Sequence, residues 1–437
     1  MISLSLPRPD YQGDKTNDTI VEIRAETKRI GPGRVDHRLV LDASSSGRPL
    51  WSKEVVFLVD APFDIPDLKN LDPFVIAALF PTMEVGGTLR VHGAVSRTLI
   101  RNVLDYQSVW HLVSPDLFKP FDLEVETVDD SPVEQRASRP RTILAFSAGV
   151  DSMLALCRNA SGDTGEAGYQ IDAGMLIRGM GVAPGSRQDP VELTEDRRRI
   201  CARWDVPLAV IDTDVYEITE KPLAMFGSWL SACLTLFSGS FDVGLIGSSE
   251  VWYAPGWEIW GSHPLLDPML SSGQMAIRND EGLFERAEKV ALLARYPRAL
   301  EDLRVCFNGQ EGMPNCCRCE KCVRTMLGFI ASGNEVPPAF PKPLRLQDVG
   351  RDMRSELGLK WTPQTLECAR QSGTLDHPAI KLLRRRYRVK LVKFTIKRWV
   401  RRLITGKKPS RLHILDSLYP IPKRAFSASR GPLTDGD

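Results

Sequence analysis

Long apolar runs are missing from the 437-residue sequence, since no stretch of 18 or more residues is predominantly apolar. We therefore expect no membrane-spanning helix. The start, MISLSLPRPD, lacks a basic segment followed by an apolar core, so no secretory leader is expected. Repeats and low-complexity tracts are also missing, which excludes collagen-like and coiled-coil chains. With 43% hydrophobic and 26% charged residues, the composition is that of a folded cytoplasmic protein of two or three domains.

Acidic residues are missing from one segment near the C-terminus. The chain has 57 Lys and Arg residues against 55 Asp and Glu, but 13 of the basic ones and no acidic one lie in 381–408. A slightly acidic body thus carries a basic segment in which aromatic and aliphatic residues are interspersed. This pattern predicts an amphipathic helix that packs on the acidic body, or binds RNA, an anionic membrane surface or an acidic protein partner. The last 18 residues are expected to be disordered.

Cysteine is uncommon elsewhere, yet five of the nine cysteines fall between Cys306 and Cys322. An odd number of cysteines without a leader argues against a disulfide framework, and the clustering favours a metal. The spacing C-x9-C-x2-C-x2-C suits a structural Zn²⁺ held by four thiolates, although an iron–sulfur cluster also takes four. The expected ligands are Cys306, Cys316, Cys319 and Cys322. Cys317 is the alternative to Cys316, which preserves both C-x2-C steps.

Residues 1–130 are predicted to form a small α+β domain of unknown role. Alternating polar and apolar residues between about 20 and 60 predict two or three antiparallel strands. A helix is expected to start at Asp72-Pro73, and another is expected to be capped by Ser96. Residues 129–140, DDSPVEQRASRP, are typical of a polar linker.

From Arg141 onward, short apolar strands alternate with helical segments, which predicts an α/β fold with a doubly wound parallel sheet over 141–332. Strands are expected near 142–146, 173–177, 207–212 and 241–247, and a loop is expected from 262. Ligands bind such sheets at the carboxyl ends of the strands. Residues 333–437 then form a C-terminal region with the basic segment.

The first of these strands runs into the 147–152 loop, Ser147-Ala148-Gly149-Val150-Asp151-Ser152. A strand, a small-residue turn and a helix start form a natural anion site, because N–H groups and the positive helix end converge there. It differs from a P-loop, since no lysine follows. Asp151 could cap the helix or hold Mg²⁺ bound to phosphates. The alternative is a tight structural turn.

The segment RTILAFSAGVDSMLAL resembles the SGGxDS signature of the PP-loop ATP pyrophosphatases. Ser147, Gly149, Asp151 and Ser152 match, and Ala148 stands where a second glycine is usual. Alanine costs little at negative φ and strains a turn at positive φ. The resemblance implies binding of Mg²⁺-ATP, cleavage between its α and β phosphates, and adenylation of a carboxylate or carbonyl oxygen.

Together with the cysteine spacing, this segment is similar to the 7-cyano-7-deazaguanine synthase family over roughly 140–330. FERAEKVALLA also resembles that family, with Arg286 where a lysine is usual, and implies that Arg286 offsets pyrophosphate charge. The family's substrate stretch is missing: SSEVWYAPGWEIWGSHPLLDPM follows the fourth strand instead. Its aromatics are candidates for stacking a substrate, and Glu250, His263, Arg278 and Lys289 are weaker candidates for polar roles.

The resulting expectation is an adenylating C–N ligase. A small-molecule carboxylate or amide would be activated by ATP and attacked by ammonia or an amine. The site would consist of Ser147, Ala148, Gly149, Val150, Asp151 and Ser152 for the nucleotide, with Asp151, Ser152 and Arg286 in catalytic roles. Two alternatives remain, an RNA-modifying enzyme that grips tRNA with 381–408 and a non-catalytic nucleotide-binding subunit.

Overall fold

A computed structural model describes residues 1–4, 18–131, 138–178, 190–251, 261–306, 313–350, 353 and 356–405. The strands are β1 (Ile2–Leu4), β2 (Thr19–Gly31), β3 (Arg34–Ser45), β4 (Arg48–Asp60), β5 (Gly87–Ser96), β6 (Phe121–Asp129), β7 (Thr142–Ala145), β8 (Ile171–Arg178), β9 (Leu208–Thr213), β10 (Val243–Gly247) and β11 (Ala276–Asp280). The α-helices are α1 (Asp72–Val85), α2 (Arg97–Val113), α3 (Val150–Ala160), α4 (Pro190–Ala202), α5 (Phe226–Thr235), α6 (Arg286–Leu293), α7 (Pro297–Asp302), α8 (Glu320–Ala331), α9 (Glu356–Gln371) and α10 (Pro378–Thr405).

The described strands form one sheet of eleven strands in the order β1-β6-β5-β2-β3-β4-β9-β8-β7-β10-β11. Six of the ten neighbouring pairs are parallel. β4 pairs antiparallel with β9, with Phe57 opposite Thr213. The two predicted domains therefore contribute to a single sheet. Their division at 129–140 stays a prediction, and 132–137 lie outside the described residues.

Local sequence explains the N-terminal elements. β2, β3 and β4 are antiparallel, as the alternation predicts, and along β3 every second side chain from Val35 to Ala43 is buried. α1 begins at Asp72, with a proline in its first turn. Ser96 caps α2 by accepting a hydrogen bond from the N–H of Leu99 at 3.2 Å. These predictions are confirmed.

The second half of the sheet is the predicted α/β unit. Its strands follow the order β9-β8-β7-β10-β11, so the chain starts in the middle, moves to one side and then crosses to the other. This order is that of doubly wound folds. The loop expected from 262 is only partly correct, because it contains β11, which pairs parallel to β10. The five residues AIRND of β11 carry only two apolar side chains, too few for a pattern to reveal the strand.

Helices cover both faces of this unit. Along β7, Ile143 belongs to the core that contains α1, α2 and α5, whereas Leu144 belongs to the core that contains α3, α6 and α8. Successive side chains of a strand point to opposite faces, so the continuous apolar run of β7 supplies both cores.

The C-terminal helices form a third core. Side chains from α8, α9 and the start of α10 pack together, among them Leu327, Ala369 and Leu383. α10 has 28 residues. In the described part of the chain, no helix combines the length and the apolar character needed to cross a bilayer. Residues 406–437, which contain the predicted disordered end, lie outside the described residues.

Candidate functional site

The 147–152 loop lies where the order of the parallel strands reverses. β7 and β10 are neighbours there, and the connections that follow them lead in opposite directions along the sheet, to β8 and to β11. Doubly wound sheets have their ligand crevice at such a point. Gly247 ends β10 against the first turn of α3: a Cβ at this position would lie 2.7 Å from the Asp151 carbonyl oxygen. Glycine thus lets the strand end approach the loop closely.

Serine hydroxyls hold the loop together. The Oγ atoms of Ser147 and Ser152 are 3.3 Å apart, and the N–H of Ser147 donates to Ser152 Oγ. Gly149 is the N-cap of α3, and its N–H donates to Ser147 Oγ at 3.3 Å. No side chain caps this helix start. The first-turn N–H groups, with the positive end of the helix, therefore form a place for an anion.

Ala148 has a φ of 60°, in the left-handed region that favours glycine. The loop thus adopts the turn that a glycine would allow, at the energetic cost that alanine carries there. The Ala148 side chain is buried, and its carbonyl accepts a hydrogen bond from the N–H of Arg304 at 2.8 Å. This contact fixes the strained residue in place.

Cations converge on Asp151 at the start of α3. Arg286 Nη1 lies 2.5 Å from its Oδ2, and Lys289 Nζ lies 3.7 Å from its Oδ1. Burial would raise the pKa of Asp151, but Arg286, Lys289 and Lys321 hold that pKa below its ordinary value. The carboxylate therefore stays charged near neutral pH. Arg286 and Lys289 were predicted from the sequence, whereas Lys321 was not.

Lys289 is a buried cation from α6. Its side chain is 1% exposed, and its Nζ donates to the carbonyl of Ser248, directly after β10. Burial lowers the pKa of Lys289, and Asp151 counteracts part of that shift. Lys321 is shifted in the same direction: burial, Arg286 and Arg324 lower its pKa to about 7. Arg286, Lys289 and Lys321 thus all act on Asp151 at the helix start, and positive charge at that place favours an anionic ligand.

Two arginines that were not predicted from the sequence hold the 147–152 loop in place. Arg197 on α4 donates through Nε to the carbonyl of Ser147 at 2.9 Å. Asp196 pairs with both Arg197 and Arg304, and the Arg304 Nε distance is 2.8 Å. One carboxylate thus connects the two arginines that bind successive residues of the loop. α4 carries five consecutive charged residues, so sequence alone could not tell which of them turn inward.

Three of the weaker candidates for polar roles, Glu250, Arg278 and His263, have different surroundings. Glu250 is buried just after β10, near Lys289. Arg278 is exposed on the edge strand β11 and donates to the carbonyl of Ile277. His263 belongs to a turn: its N–H donates to Asp267, and its Nδ1 accepts from the N–H of Leu265. The aromatic residues of 252–260 lie outside the described residues.

Four cysteines form a compact cluster beside this site. The Sγ atoms of Cys306, Cys316, Cys319 and Cys322 all lie within 4.8 Å of one another. The pairs Cys316–Cys322 and Cys306–Cys319 are each separated by 3.9 Å. Thiolates at a Zn–S distance of about 2.3 Å in a tetrahedron would be about 3.8 Å apart. The cluster could therefore hold a metal ion such as zinc, with all four positions taken by protein.

The local backbone separates Cys316 from Cys317. Cys317 adopts a φ of 60°, and its Sγ donates to the Asn315 carbonyl at 3.4 Å, outside the cluster. The buried Asn315 side chain organises this segment by accepting from the N–H groups of Val305 and Cys306 and donating to two carbonyls. The expected ligand Cys316 is the one brought to the cluster.

Residues close in sequence to the cysteine ligands also contact the 147–152 loop or lie near Asp151. Arg304, which binds the Ala148 carbonyl, precedes Cys306 by two residues, and Lys321 lies between Cys319 and Cys322 in the first turn of α8. A metal that fixes these cysteines would thereby fix a cation next to Asp151. In comparisons with known proteins, no family model matches the chain, and no curated protein matches it.

Proposed function

We propose that the protein is a Mg²⁺-ATP-dependent adenylating enzyme of the PP-loop type, a ligase that forms a C–N bond. One observation carries the proposal: the 147–152 loop lies at the reversal of the strand order, with Arg286 and Lys289 gathered at its helix start. Such an arrangement is suited to a polyphosphate, whose negative charges need both N–H donors and cations.

Different residues of the site would bind different parts of Mg²⁺-ATP. The backbone of Ser147, Ala148, Gly149 and Val150, with the hydroxyls of Ser147 and Ser152, would hold the pyrophosphate part of ATP. Arg286 and Lys289 would offset its charge. Asp151 Oδ1 is buried without a hydrogen-bond donor, which leaves a carboxylate oxygen for Mg²⁺. The cysteine cluster would hold a structural Zn²⁺ away from the chemistry.

The reaction would proceed in two displacements. A carboxylate or amide oxygen of the substrate attacks the α-phosphorus of ATP, and pyrophosphate leaves. Ammonia or an amine then attacks the activated carbon and displaces AMP. The protein's part is positional and electrostatic, because its cations stay beside the charge that the leaving group develops. The resemblance supports the ATP chemistry, but it does not carry over the deazaguanine substrate, because the family's substrate stretch is missing. The substrate is therefore left as a carboxylate or amide of open identity.

The products of ATP turnover test this proposal. Purified protein is incubated with Mg²⁺-ATP, ammonia and a panel of carboxylates, with tRNA as a further substrate. AMP and pyrophosphate, formed by the wild type and lost in Asp151→Asn, would support the proposal. The exposed Asp116→Asn, away from the loop, is the matched control and should keep full activity.

Other outcomes of this experiment would contradict the proposed mechanism or favour one of the alternative functions. ADP and phosphate would overturn the adenylating mechanism. AMP formed only with tRNA would favour an RNA-modifying enzyme. ATP binding without turnover on any substrate would favour a nucleotide-binding subunit.

A further inference from the structure

α10 presents two different faces along its length. Ile380 and Leu383 are buried in the C-terminal core, and Tyr387 and Phe394 pack against the same core. Arg386 fastens this side further by donating to the carbonyls of Gln347 and Val349. The inner face of the helix is therefore covered by other parts of the protein.

The opposite face is apolar and exposed. Val389, Val392 and Ile396 have between 50% and 59% of their surface accessible. Their spacing of three and four residues places them on one side of the helix. Val392 follows Leu383 by nine residues, about two and a half turns, so this stripe points away from the core. In the sequence the same spacing continues to Trp399 and Leu403.

Basic side chains surround the exposed stripe. Arg388 and Lys393 lie on either side of it on the helical surface, and Arg385 precedes it. All three are exposed, and none forms an ion pair with the residues that the structure describes. The segment 381–408 itself contains no acidic residue that could neutralise this face.

An exposed apolar stripe flanked by basic side chains favours some binding partners for the outer face of α10 over others. A second copy of α10 would bring two basic faces together and is disfavoured by charge. RNA would use the positive charge, but its phosphate backbone offers no apolar partner for Val389, Val392 and Ile396. An anionic lipid surface uses both properties, because acyl chains accept aliphatic side chains while headgroups pair with Lys and Arg.

We propose that the outer face of α10 docks the protein on an anionic membrane surface, with Val389, Val392 and Ile396 entering the acyl boundary and Arg385, Arg388 and Lys393 meeting the headgroups. The helix would lie in the interface plane, with the rest of the molecule on the aqueous side. This inference is independent of the proposed enzymatic activity.

Vesicle flotation with the full-length protein tests it. Vesicles of phosphatidylcholine with phosphatidylserine should carry the protein, and vesicles of phosphatidylcholine alone should not. Val392→Ser with Ile396→Ser should weaken binding at least about tenfold through lost apolar contact. Arg388→Gln with Lys393→Gln should weaken it roughly 25-fold, about fivefold for each charge.

Matched controls use exposed residues elsewhere. Leu112→Ser with Leu283→Ser removes two apolar side chains that are more exposed than Val392 and Ile396. Lys28→Gln with Arg34→Gln removes two exposed charges, and both pairs should bind like the wild type. Unchanged thermal midpoints establish that the α10 variants are folded.

Three outcomes would overturn the proposal. The first is no binding to the anionic vesicles. The second is binding that the apolar pair leaves unchanged, since charge alone would then account for it. The third is tRNA binding tighter than vesicle binding and sensitive only to the charge pair, which would make RNA the occupant.

Discussion

The guanidinium of Arg286, in the first turn of α6, lies 2.5 Å from the carboxylate of Asp151, in the first turn of α3. The positive ends of two helices thus meet at one carboxylate, and both helix dipoles favour its charged form. Arg286 is itself close to Lys289 and Lys321, so Asp151 also relieves repulsion among three cations.

Removing Arg286 should therefore destabilise the fold as well as the site. We expect Arg286→Gln to lower the free energy of unfolding by about 1–3 kcal/mol, because a mostly buried carboxylate loses its closest partner. Urea unfolding measures this change. The exposed Arg295→Gln, just after the same helix, should stay within about 0.5 kcal/mol of the wild type. Equal effects of the two variants would mean that the Asp151–Arg286 pair contributes nothing to stability.

Under the proposed function, Arg286→Gln should also reduce AMP formation about a hundredfold or more.

The left-handed conformation of Ala148 predicts a stabilising glycine. Alanine at this φ costs about 1–2 kcal/mol, and glycine adds about 0.5–1 kcal/mol of unfolded-state entropy. We expect Ala148→Gly to raise the free energy of unfolding by up to about 1 kcal/mol. Ala155→Gly, inside α3, should lower it by about 1 kcal/mol or more, since glycine weakens helices. A loss of stability in Ala148→Gly as large as that in Ala155→Gly would contradict the conformational argument.

The two adjacent cysteines should differ in their effect on metal content. Cys316→Ala should abolish stoichiometric zinc in the purified protein and lower zinc affinity more than about a hundredfold, because one of four ligands is lost. Cys317→Ala should retain zinc, as its Sγ lies outside the cluster. Atomic emission and competition with a chelator measure both. Zinc retained in Cys316→Ala and lost in Cys317→Ala would reverse the ligand assignment.

His37 should make the fold sensitive to acid. Burial lowers the pKa of His37 from 6.5 to about 4, against the opposing effects of Asp36 and Asp67. Because the unfolded chain takes up the proton first, this contribution to stability is complete above pH 6.5 and is lost as the pH falls toward 4. The loss should reach roughly 2 kcal/mol by pH 4.5.

The variant His37→Gln isolates that contribution. Glutamine has no proton to gain in this range and can keep the contact with Thr27, whose Oγ1 lies 2.8 Å from His37 Nδ1. Comparison with the wild type is needed because Asp72 and Asp267, whose pKa values burial raises to about 6, favour the folded state as the pH falls. The stability difference between wild type and variant should shift with pH between 6.5 and 4.5. Parallel urea-unfolding profiles of the two proteins would contradict the prediction.

The sequence determined the elements whose signals are local. Alternation along β2, β3 and β4, the cap at Ser96 and the start of α1 depend on residues a few positions apart. The cysteine spacing likewise predicted which four sulfur atoms meet, because Cys316, Cys319 and Cys322 share one turn and helix start.

Tertiary structure decided what depends on distant segments. The pairing of β4 with β9 joins residues that are 150 or more positions apart, and β11 is a strand because it completes the edge beside β10. Arg197, Arg304 and Lys321 reach the 147–152 loop only because α4, the segment after α7 and α8 surround it. A charged side chain has no pattern that tells whether it faces solvent or a buried carboxylate. That choice is made by packing, which brings together charges that the sequence keeps far apart.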